Sequence, residues 1–147
     1  MISLIGTWMQ TVAQSWLIYR LTGSATLLGL VGFTGQIPVL LFATIGGVMA
    51  DRHSRHRIIL LTQASSMVLA YVLALLTLTD SIEVWHIFVI AACFGVVNAF
   101  DIPTRQSFVV DMVGQEDLIN AIALNSSMFN AARIIGPAVA GLLVAWV

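Results

Sequence analysis

The 147 residues are 59% hydrophobic and 9% charged, with a mean hydropathy of +0.98 and a net charge of −1. Soluble domains carry about 45–50% apolar and about 25% charged residues, and a chain this short has too little interior to hide the difference. A soluble globular fold is therefore excluded, as are a basic field for nucleic acid and, with Cys93 as the single cysteine, a disulfide framework.

Crossing the hydrocarbon core takes about 20 apolar residues as helix, and backbone in lipid must satisfy its own hydrogen bonds. The expected fold is all-α, an integral membrane bundle of about five transmembrane helices. The first runs over 1–19, from Met1 with no cleavable leader to Tyr19, and carries Thr7, Gln10 and Gln14 on one face by helical spacing. That face lines a polar cavity or bonds a neighbouring helix. The second runs over 25–50, with Gly29, Gly32 and Gly35 recurring every three residues. It ends in Asp51-Arg52-His53-Ser54-Arg55-His56-Arg57. The third covers 58–78 and is closed by Thr79-Asp80-Ser81-Ile82-Glu83.

The fourth covers 84–112 and contains Pro103. Its Cys93 reads as a small packing residue, because apolar surroundings disfavour the thiolate. Asp101 and Arg105, four residues apart, can pair on one face; Asp111 lies nearer the end. Gly114 suits a C-cap and Asp117 an N-cap for the fifth helix, 118–147. In that helix Asn130, Arg133 and Pro137 share a face, and Arg133 falls near mid-membrane, where a charge is expensive and either paired or functional. Small residues four apart, Gly95 with Ala99 and Ala132 with Gly136 and Ala140, mark close helix packing. Both ends of the sequence fall inside hydrophobic stretches and read as cuts.

All six basic residues are arginine, and three crowd between the second and third helices. The positive-inside rule places that connection in the cytoplasm and the acidic Asp80–Glu83 connection outside, with Trp85 at the outer interface and His86 beside it. His53, His56 and His86 have no metal-ligand spacing with Cys93. An intramembrane enzyme needs a nucleophile–base pair or paired carboxylates; Asp101 and Asp111 are ten residues apart and no Gly-x-Ser-x-Gly is present. No catalytic residue is assigned.

Gly47-Val48-Met49-Ala50-Asp51-Arg52-His53-Ser54-Arg55-His56 resembles the signature loop between helices two and three of the major facilitator superfamily. Gly47, Ala50, Asp51, Arg52 and Arg55 match; Ser54 replaces a glycine and His56 a basic residue. Ala132…Gly136-Pro137…Ala140-Gly141 is similar to the antiporter motif of that superfamily's exporters, with alanine at two glycine positions. The words Gly6–Val12, Tyr19–Ser24 and Asn98–Gln106 resemble the bacterial branch holding the enterobactin exporter and macrolide-efflux proteins.

The resemblance implies part of an N-terminal transmembrane half, with the sixth helix and the C-terminal half as missing partners. It also implies export of small amphipathic molecules, of drug or siderophore type, across a bacterial inner membrane. The cycle would be alternating access driven by the proton gradient, without a cofactor. Asp51, Arg52 and Arg55 would latch the cytoplasmic side, Gly136-Pro137 would lie between halves, and Arg105 with Asp101 and Asp111 would exchange charge near the latch. Gln10, Gln14 and Asn130 are candidate cavity residues. A non-transporting remnant or helical scaffold remains the alternative.

Overall fold

The computed structural model describes residues 2–113 and 117–146. Among these there are five helices and no strand: α1 Ile2–Thr22, α2 Ala25–Arg52, α3 Arg55–Leu78, α4 Val84–Val113 and α5 Leu118–Val144. Met1, Gly114, Gln115, Glu116 and Val147 lie outside the described residues, and with them the expected C-cap at Gly114.

Each boundary has a local cause. α1 continues past Tyr19 to Thr22, because the first residue that breaks it is Gly23 at φ +63, whose N–H reaches the Tyr19 carbonyl at 2.7 Å. Such a left-handed stop favours glycine. Ser24 then caps α2 by accepting from the Leu27 N–H at 3.3 Å. The Asp51–Arg57 cluster is not a loop. α2 extends to Arg52, α3 begins at Arg55, and only His53 and Ser54 lie between them. Arginine is a good helix former, so the charges alone do not end a helix. Asp80, at φ +52, turns the chain between α3 and α4, a conformation aspartate tolerates. Asp117 occupies the N-cap of α5 but makes no capping bond.

Four helices, α2 to α5, are long and apolar enough to cross a membrane. α1 is not among them, because Thr7, Gln10, Thr11, Gln14 and Ser15 dilute its apolar content. The exterior is apolar, unlike that of a soluble protein. Leu40, Leu61, Tyr71 and Leu75 stand exposed, while Gln10, Gln14, Thr62, Asp101 and Thr104 are buried. Apolar side chains facing outward need lipid as their solvent; the protein is a multi-pass protein of the cell membrane.

The described chain forms two compact units. In the unit of residues Gln14–Ser107, Leu17, Ile18, Val31, Leu73, Ile87, Ile90 and Ala91 make the core. There α2 and α4 run close together and parallel. A Cβ on Gly95 would strike the Gly35 carbonyl, and one on Gly46 the backbone of Ala99 and Phe100. Gly29 and Gly32 meet nothing within 4 Å. A repeat of three drifts around a helix of 3.6 residues per turn, so Gly35 alone of that series reaches a neighbour. Cys93, expected to pack, is instead exposed, on the side of α4 away from the buried Ile87, Ile90, Ala91 and Phe94.

The other unit comprises Met1–Ala13 and Phe108–Val147. Its centre is a buried stripe of Ala132, Gly136 and Ala140 on α5. A side chain at Gly136 would collide with the Trp8 Cβ and the Ile5 carbonyl of α1. Trp8 and Phe129 meet edge to face, with ring centroids 5.9 Å apart.

Candidate functional site

The charged residues of α2, α3 and α4 gather toward the end expected to face the cytoplasm. Arg55, at the first position of α3, reaches in three directions. One guanidinium nitrogen lies 3.6 Å from the Asp51 carboxylate, Nε donates to the Ala50 carbonyl at 3.2 Å, and Nη1 donates to the Ser107 carbonyl of α4 at 3.4 Å. Ala50 and Asp51 end α2, where unsatisfied carbonyls collect. Arg55 therefore supplies both a backbone donor and a counter-charge for a carboxylate badly placed at a helix C-terminus. Asp51 itself is open, its side chain 70% exposed against 23% for Arg55. Arg52 is exposed.

Deeper along α4 lies a second cluster. The Asp101 carboxylate is buried and receives three donors: Thr62 Oγ1 at 2.6 Å and Gln63 Nε2 at 3.1 Å on one oxygen, and Arg105 Nε at 2.5 Å on the other. Buried charge survives only when paired and hydrogen-bonded, and here two helices share that task. Arg105 and Ser107 are two residues apart on α4, so one short segment carries both clusters. Asp111, further along α4, is exposed.

The remaining candidates are placed differently. Gly47 has open space beside it, and the close contact belongs to Gly46. Gln10 and Gln14 are buried, and their amide nitrogens find no acceptor among the described residues. Asn130 is exposed and turns its amide back to the Ser126 carbonyl at 2.9 Å. On α5, Ala132, Gly136 and Ala140 are buried, Pro137 is half-buried and Gly141 is open. Arg133 is exposed, its guanidinium 5.6 Å from the centroid of the Trp8 ring. At the opposite end of α4, Trp85 Nε1 donates to Glu83 at 2.6 Å, and the Glu83 N–H donates to His86 Nδ1 at 3.1 Å.

Thr62 and Gln63 are site residues that the sequence reading passes over. Their signal is a polar doublet, followed closely by Ser65 and Ser66, inside the mostly apolar stretch from Ile58 to Leu78.

The sequence that builds these helices matches a known family over the whole chain. The family model described as transmembrane secretion effector, of the major facilitator superfamily, covers residues 1–147. The chain belongs to that family. This secretion-effector chain is similar to the staphyloferrin A transporter of Staphylococcus aureus, at 29% identity over 96% of the chain and 36% of the relative. It is similar also to macrolide efflux protein A of Streptococcus pyogenes, at 26% identity over 97% of the chain and 35% of the relative. A third relative is the enterobactin exporter of Shigella boydii, at 28% identity over 98% of the chain and 35% of the relative. No solved structure matches. The chain spans about a third of the length of the curated relatives it matches. The family is one of transporters rather than of enzymes.

Proposed function

We propose that the chain serves in a proton-coupled exporter of small amphipathic molecules, of drug or siderophore type, that works by alternating access. The observation that carries this reading is a pair of charge clusters that meet on α4. Asp101 and Arg105 pair within α4, and Arg55 of α3, paired with Asp51 of α2, donates to the Ser107 carbonyl two residues further along α4. An acid–arginine pair in a membrane exchanges partners when its acid gains a proton, and the energy of that exchange is what a transporter needs to couple a gradient to a shape change.

In this reading Asp51, with Arg52 and Arg55, closes the cytoplasmic side of the protein against the half of the transporter that follows in the relatives. Its open carboxylate is available to such a partner. An exchange of partners at the Asp101–Arg105 cluster loosens the contact between α3 and α4 and, through Ser107 and Arg55, the latch. Relatives named for siderophores and for macrolides support cargo that combines an apolar body with polar groups.

The test uses the protein expressed from its complete reading frame in inverted membrane vesicles. Respiration sets up a proton gradient, a macrolide or a catecholate siderophore is added, and a pH-sensitive dye reports proton release. Cargo uptake with cargo-dependent loss of the gradient is expected, and Asp51→Asn is expected to lower uptake at least tenfold. Uptake that proceeds at the same rate after an uncoupler collapses the gradient would refute proton coupling.

A further inference from the structure

Arg133 is absorbed by neither charge cluster. It lies about 22 Å from the start of α5 and about 16 Å from its end, at ~1.5 Å per residue, well inside a helix long and apolar enough to cross a membrane. It is exposed, and among the described residues it has no carboxylate or carbonyl partner, only the Trp8 ring. An arginine turned toward hydrocarbon at this depth is expensive. Ser126 and Asn130, also exposed, fall on the same face of α5 by helical spacing. A short polar stripe of Ser126, Asn130 and Arg133 therefore marks the first part of α5 and ends at Arg133, and such a face fits a wet cavity rather than acyl chains.

We propose that Arg133, held over the Trp8 ring, is an anion-binding subsite that takes the carboxylate of an amphipathic cargo whose apolar body lies against Trp8 and Phe129. The indole covers one face of the guanidinium by a cation–π contact. The N–H edge stays open, and a planar fork of donors suits a planar carboxylate. Phe129, edge-on to Trp8, extends the aromatic wall. The proposal names the cargo chemistry of the transport reading above and rests on that reading for the word cargo; the binding itself stands apart from it.

The test measures binding to the protein from its complete reading frame in lipid nanodiscs. The probes are 1-pyrenebutyrate and its methyl ester, which share a body and differ in charge, with empty nanodiscs correcting for lipid partition. The wild type binds the carboxylate at least about tenfold tighter than the ester. R133Q brings the carboxylate down to the affinity of the ester and leaves the ester unchanged, and R133M does the same should R133Q not be recovered folded. W8L weakens both probes.

Equal binding of the two probes by the wild type, or a preference that survives R133Q or R133M, overturns the subsite. Such a loss in a protein that still extrudes ethidium leaves the transport reading intact. A preserved preference for the carboxylate in a protein that extrudes nothing counts against transport alone.

Discussion

The three donors on Asp101 are not equivalent. Thr62 Oγ1 is in reach of both the Ile59 carbonyl at 3.0 Å and the Asp101 carboxylate at 2.6 Å, and a hydroxyl has one proton to give. The charge-assisted bond is the stronger. Thr62→Val keeps the shape and removes the donor, and is expected to destabilise the chain by about 1.5–3 kcal/mol, with Thr62→Ser restoring most of it. Thermal unfolding in detergent checks this, and a Thr62→Val midpoint equal to that of the wild type would show the hydroxyl serving Ile59 instead. The Asp101–Arg105 spacing is legible in the sequence because both partners sit on one helix. Thr62 and Gln63 are not, since nothing local says which face of α3 meets α4. For the same reason Gln10 and Gln14 read as a polar face, lining a cavity or bonding a neighbouring helix, and the structure adds that both are buried.

At the scale of the element, glycines divide by what lies opposite. Gly46, Gly95 and Gly136 each face backbone or the root of a side chain, with no room for even one methyl group. Gly46→Leu or Gly95→Val is therefore expected to lower stability by about 1–3 kcal/mol through overpacking. Gly47→Ala, which points into open space, is expected to be neutral or to stabilise by up to about 1 kcal/mol through helix propensity. Thermal midpoints of the three variants order them, and a Gly46→Leu protein as stable as Gly47→Ala would mean that α2 and α4 do not approach as described. The spacing of Gly95 with Ala99, and of Ala132 with Gly136 and Ala140, shows such stripes in advance because repeats of four stay on one face. The series at Gly29, Gly32 and Gly35 misleads because repeats of three do not. Hydropathy alone marks α2 to α5; helix ends it does not mark, as the arginines absorbed into α2 and α3 illustrate.

For the whole molecule, composition carries most of the information. The apolar exterior, with Leu40 and Leu61 outside, follows directly from an apolar chain with very few charges. Function is less legible, because the proposed latch, Asp51 and Arg52, faces outward from what the 147 residues contain. Reconstituted in liposomes by themselves, these residues are expected to move no macrolide or siderophore faster than empty vesicles; measurable flux would overturn the view that a second half supplies the opposing surface. The connection of only His53 and Ser54 between α2 and α3 has a mechanical corollary. Two residues, with Arg55 bonded across them to the Ala50 carbonyl, leave no slack for a hinge. A tilt imposed on α2 is passed to α3 as through a stiff elbow, and any bending between helices falls elsewhere along the chain.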